Sequence, residues 1–222
     1  MATHTILEEH ASPLHDNTDG YMSFLKNLFG KSQNFSDDNS VETMKRRQAA
    51  AIEVLRLFQE HFPTTFENHP GTSLSAAAWL AGTSLYRSFG YQHNIAPGTV
   101  ILSDIANEKG PILTGIFMYF LDKDGIKLKQ GEVILKFTEE QKPRKNILEI
   151  QERCQDSYNE IMRKNGFDYL EAAKVGAIIC AMMVNFHCIS HHDLEPKLAA
   201  GLVLMGFVEG TKTCPTPLKS GN

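Results

Sequence analysis

The densest group of side chains able to do chemistry is HCISHHD, His187 to Asp193. Were a helix to continue through it, His187 and His191 would stand one turn apart on one face, the spacing by which paired histidines hold zinc in metalloprotease helices. His192, Asp193 and Cys188 are the nearest further donors. The segment lacks an acid between the two histidines, so a remote partner such as His69 or His93 would have to complete the set. Histidine also suits a helix C-terminus for a simpler reason, because its positive charge complements the macrodipole and its ring nitrogens meet the last free carbonyls. His187, His191, His192 and Asp193 are therefore read first as a helix terminus with its cap, and second as a metal site.

Two shorter motifs reduce to turns. DKDG at Asp122 opens like an EF-hand loop, but Lys127 falls where the turn glycine belongs and Val133 where the bidentate acid belongs. Asn68-His69-Pro70-Gly71 has the composition of a connection between helices. Phosphate-cradling, dinucleotide-binding and nucleophile-elbow patterns are missing from the chain, and so are the paired Glu-x-x-His motifs of di-iron bundles. No cofactor is expected. Trp79, Tyr86, Tyr119 and Asn185, joined by Tyr91, Tyr158 and Tyr169, are the candidates for lining a ligand pocket between helices.

The element that must position these residues is Phe167 to Phe186, FDYLEAAKVGAIICAMMVNF. Gly166 can stop the preceding helix, Asp168 can cap the new one, and Glu171 stands where a capping box needs it. Val175 to Val184 carries no polar side chain, so this helix has to be surrounded. The run is nearer the roughly 10 to 14 residues of a buried core helix than the 18 or more of a membrane span. Ala173, Ala177 and Ala181, with Gly176 and Cys180, form a low ridge for close packing. The expected fold is all-α: a single-domain, multi-helix bundle around a buried central helix at about 167–187.

The other helices follow from periodicity and punctuation. Ser40 can cap a long helix on which Val41, Met44, Ile52, Leu55, Phe58 and Phe62 recur at helical spacing before Pro63. A second helix, capped by Thr72 or Ser73, reaches about Phe89 and stops at Gly90. A shorter one is expected from Pro97 to Asn107. Residues 112–121 read as helix and the stretch to Phe137 as extended, with a small β-hairpin insert near 116–137 as the alternative. After Pro143 an amphipathic helix runs to Gly166. The last helix is expected to be capped by Ser190 or Asp193 and to end at Gly210. Residues 1–21 read as a flexible tail, 22–39 as a short helix and linker, 40–212 as the helical domain and 213–222 as a loose tail. Phe24, Leu25, Leu28 and Phe29 share a face. The stretch after Met22, SFLKNLFGKSQ, resembles the short Phe/Leu/Lys helix that opens many bacterial cytoplasmic proteins, which makes Met22 a candidate natural start. That resemblance spans under a dozen residues and names no family.

Composition narrows function without naming it. The chain has 222 residues, 42% hydrophobic and 22% charged, as a soluble domain does. A net charge of -4 speaks against a nucleic-acid partner. Four cysteines in no CxxC pair suit a reducing cytoplasm. The expectation is a non-enzymatic binding or interaction module whose partner is a protein, a second copy in a homodimer, or a small apolar ligand. Its eight methionines suit an adaptable apolar surface. The alternative is a metal-dependent enzyme centred on the His187 to Asp193 cluster.

Overall fold

The computed structural model describes residues 41–61, 69–91, 95–101, 103–129 and 131–218. The expected tail, the 22–39 helix, the Ser40 cap, Phe62, Pro63 and His93 lie outside them. The helices in chain order are α1 (Val41–His61), α2 (Pro70–Ser88), α3 (Asp104–Lys109), α4 (Pro111–Lys123), α5 (Ile147–Ile150), α6 (Asp156–Lys164), α7 (Tyr169–Asn185) and α8 (Pro196–Lys212). One π-helical turn, Gln151–Gln155, joins α5 to α6, and another, Phe186–His191, extends α7. No strand occurs among the described residues, where the β-contact is an isolated antiparallel bridge between Val100 and Thr213. The fold is an all-α helical bundle.

The central helix is where the lack of polar residues places it. Every residue from Val175 to Val184 is buried. Helices α1, α2, α4 and α8 all contact α7. By length and composition Tyr169–His191 would suffice to cross a membrane, yet 89% of its most apolar window is buried inside the protein. Asp168 accepts the Glu171 amide at 2.8 Å. Glu171 does not complete the capping box: its carboxylate instead meets Lys174 at 2.6 Å and Arg47 at 3.4 Å.

A second helix is as deeply enclosed. On α2 every residue from Gly71 to Tyr86 is buried, including Ser73, Ser75, Thr83 and Ser84. Buried hydroxyls need partners, and here the backbone supplies two: Ser84 donates to the Leu80 carbonyl at 2.9 Å and Ser73 to that of Pro70 at 3.0 Å. Their small volume lets α8 approach to backbone contact. A β-carbon on Gly82 would lie 2.8 Å from the Gly210 Cα and from the Phe207 carbonyl oxygen.

Several boundaries differ from expectation. The cap of α2 is His69, whose Nδ1 accepts the Thr72 amide at 3.1 Å, with Pro70 opening the first turn. Thr72 and Ser73 lie inside. The expected helix from Pro97 is a turn at Pro97–Gly98, where Gly98 has φ +86, followed by extended backbone. The Gly98 amide donates to the Cys214 carbonyl and the Cys214 amide to the Thr99 carbonyl, both at 2.8 Å, so this stretch spends its backbone groups on the chain end. Ser103 then caps α3. Helix α4 runs to Lys123, and the stretch after it wraps the bundle without pairing as a hairpin. Helix α8 starts at Pro196 without a side-chain cap and continues through Gly210 to Lys212. Residues 213–217, expected to be loose, are held by the hydrogen bonds at Cys214 and by the Thr216 contacts described below.

Candidate functional site

The histidine cluster comes together only in part. His187 is 2% exposed, and its Nδ1 lies 3.1 and 3.2 Å from the two Asp193 carboxylate oxygens. The π-helical turn changes the register that would have stacked His187 on His191. The His191 ring instead lies 4.1 Å from that of Phe186. His192 takes a left-handed φ of 54, and its Nδ1 meets the Cys188 carbonyl at 3.1 Å. His69, the remote partner, is committed at α2 and to the Glu140 carbonyl at 3.0 Å. Among the described residues no group of three or more His, Cys, Asp or Glu is arranged to hold a metal ion. Burial lowers the His187 pKa, and Asp193 opposes that fall. Ser190 and Asp193 do not cap α8, because Asp193 is taken up by His187.

The four pocket candidates do not converge. The Trp79 indole, buried between α2 and α8, donates to the Glu209 carboxylate at 2.5 Å. Tyr119 stands edge-on to Phe120 with the Lys123 ammonium 4.9 Å from its ring centre. Asn185 is buried at the far end of α7. Tyr158 is also spent in the core, donating to the Ala172 carbonyl at 2.8 Å. Tyr86 does line a cavity.

That cavity lies at the N-terminal end of α7 and measures about 340 Å³. Tyr86 and Arg87 reach it from the last turn of α2, Tyr91 and Ile95 from the segments that follow, Tyr169 from the start of α7 and Cys214 to Pro217 from the chain end. Its walls are held from behind. The rings of Tyr86 and Tyr91 meet edge-on at 5.3 Å, and Tyr91 donates to Ser103 at 2.7 Å. The π-helical turn carries a buried Gln151 whose amide donates to Thr83 at 2.9 Å and accepts the Thr216 amide at 3.0 Å. The Thr216 carbonyl then accepts Nη2 of Arg87 at 2.6 Å. π-Turns recur at functional sites, and here one lies behind a continuous chain of bonds from α2 through Gln151 to the cavity.

The cavity is one of two places where a half-buried guanidinium has no carboxylate beside it among the described residues, the other being Arg46, which instead meets the Asn165 carbonyl, the Thr43 hydroxyl and the Phe167 ring. The Arg87 guanidinium is half-buried, its Nε is shut off from solvent with no bonding partner, and among the described residues no carboxylate lies within ion-pair distance. Burial lowers its pKa, a fall that Tyr169 and Asp156 partly oppose through space. Burial, and then the neighbouring Cys214 thiol, push Tyr86 up to about 12, so its phenol stays protonated. A second hollow of about 440 Å³ shares Arg87 and Tyr169 as its wall, and an apolar groove of about 600 Å³ continues past Tyr169 over Met162, Phe167 and Leu218.

No known protein family, curated protein or solved structure matches this chain. The site therefore has to be argued from its own side chains. Of these, Tyr86, Tyr91 and Tyr169 were legible as aromatic candidates. Arg87 was not, although one cation in a run with three aromatic residues, Tyr86-Arg87-Ser88-Phe89-Gly90-Tyr91, is a usable signal. Cys214 to Pro217 carried no signal, since their role depends on a contact with residues more than a hundred positions earlier.

Proposed function

We propose that this protein is a binding module whose ligand is a small organic molecule held at the Tyr86–Arg87–Tyr169 cavity. One observation carries this reading: a preformed concavity of about 340 Å³ with aromatic and proline walls around a single half-buried, unpaired guanidinium. Ligand sites are typically concave and start at about 300 Å³; this one sets apolar walls beside a polar face that includes Arg87, Thr216 and the tyrosines. The four cysteines are unpaired, which supports a reducing compartment such as the cytoplasm. The metal-enzyme alternative rests on His187 with Asp193 and has no third donor among the described residues.

The test is a thermal-shift screen of small aromatic fragments against the wild-type chain and against Ile95→Trp, which fills the cavity from its half-exposed rim. Fragments that raise the melting temperature of the wild type should lose that effect in the variant. Equal shifts in both proteins, or no stabilising fragment at all, would count against the site.

A further inference from the structure

Resting on that reading of the cavity, we infer that its ligand is an organic carboxylate: an aromatic or apolar acid whose carboxylate meets Arg87 while its body lies between Tyr86, Tyr91 and Tyr169. The guanidinium is the reason. Planar and always charged, it presents a donor fork that matches a carboxylate in two parallel bonds. In this structure only Nη2 is used, on the Thr216 carbonyl. A carbonyl satisfies one donor without bringing an ion pair, and Asp156 acts on the guanidinium only through space. Several cations of the molecule are paired, since Lys142, Lys145, Arg163, Lys174 and Lys197 all reach a carboxylate within 3.5 Å, and the half-buried Arg46, which has no carboxylate, spends both Nη atoms on Asn165 and Thr43. Arg87 is more buried than most of them and has none.

The walls fix the rest of the ligand. The side chains of Ile95, Pro97, Pro215 and Pro217 carry no donors, so that part of a lining otherwise rich in polar groups suits an apolar body. The Tyr86 hydroxyl, kept protonated beside Cys214, can donate to an oxygen acceptor. The hydrogen bonds from Thr83 through Gln151 to Thr216 hold the guanidinium in place before any ligand arrives, which lowers the ordering cost of binding. A cationic ligand would face like charge, and a neutral alcohol would bring the guanidinium no ion pair.

The experiment is calorimetric titration of the full chain with three matched probes: 3-phenylpropionate, 3-phenylpropanol and 3-phenylpropylamine. The acid is expected to bind about tenfold or more tightly than the alcohol, as a charge-assisted fork should, and the amine not measurably. Arg87→Gln should bring the acid to the level of the alcohol. Arg87→Lys, which keeps the charge but not the fork, should recover part of the difference. Acid and alcohol binding equally would overturn the carboxylate inference while leaving the cavity reading intact. Failure of all three probes to bind would overturn both. The comparison is made on wild-type protein, so it stands even if the Arg87 variants fold poorly.

Discussion

Replacing Gly82 by Ala tests the closest contact in the bundle. The new β-carbon would lie 2.8 Å from the Gly210 Cα, 2.8 Å from the Phe207 carbonyl oxygen and 2.9 Å from the Thr211 amide nitrogen. All three are backbone atoms and none can rotate aside. Comfortable carbon contacts are about 3.5 to 4.0 Å, so α2 and α8 would have to part by most of an ångström along a buried seam. Overpacking of this kind costs about 1 to 3 kcal/mol, and a seam of immovable atoms belongs at the upper end. Against it stands a gain of up to about 1 kcal/mol for Ala over Gly within a helix. The net expectation is a loss of about 1 to 2 kcal/mol, equivalent to a melting temperature lower by roughly 2 to 8 °C for a domain of this size. Gly115→Ala is the internal control, since it lies exposed within α4 with nothing within 4 Å of the added carbon. It should stabilise by up to about 1 kcal/mol. Urea unfolding followed by circular dichroism reads both changes as midpoint shifts at constant slope. If Gly82→Ala were stabilised as much as Gly115→Ala, the two helices do not meet at backbone distance and the packing described here is wrong.

Three further outcomes follow from buried groups. His187 has a folded pKa below its ordinary 6.5, so the unfolded chain takes up a proton first and stability falls as the pH drops below that value. His187→Gln should flatten that part of the stability curve between about pH 7 and pH 5, and an imidazole titrating above 6.5 in the folded protein would contradict the sign. Tyr158→Phe removes the bond to the Ala172 carbonyl and should lower stability by about 0.5 to 1.5 kcal/mol, measured by urea titration; an unchanged midpoint would show that the bond contributes nothing. Burial raises the thiol pKa of Cys154 and Cys188 to about 12 and that of Cys180 further still. In a native thiol-labelling time course these three should resist modification, Cys214 at the cavity wall should react first, and 3-phenylpropionate should slow it; faster labelling of Cys180 would refute the burial pattern.

The elements differ in how far the chain announced them, and the reasons are physical. Helix α7 was legible because ten successive residues without a polar atom permit only enclosure. Helix α2 is enclosed as completely, but its small residues from Ser75 to Gly82 announce close packing on one side only: Ser73, Thr83 and Ser84 look like surface residues until their hydroxyls are seen to return to backbone carbonyls or to meet Gln151. The helix expected from Pro97 failed because the extended backbone there pairs with residues 212–214, a contact that local propensity cannot register. The same long-range pairing makes residues 214–217, expected to be loose, into a cavity wall. At the histidine cluster, His187 and Asp193 do meet, but the π-helical turn that separates His187 from His191 leaves no trace in residue spacing. Tyr86 was found for its ring. Arg87 escaped notice because the lack of a carboxylate beside it among the described residues is displayed only in three dimensions.

The most direct measurement of the binding reading is a nitrogen-15 correlation spectrum of the labelled chain titrated with 3-phenylpropionate. The Arg87 Nε–H resonance, sheltered from exchange by its burial, should move together with the Tyr169 and Thr216 amides while the His187 to Asp193 corner stays still. Shifts confined to that corner, or none at Arg87 at saturating acid, would contradict it.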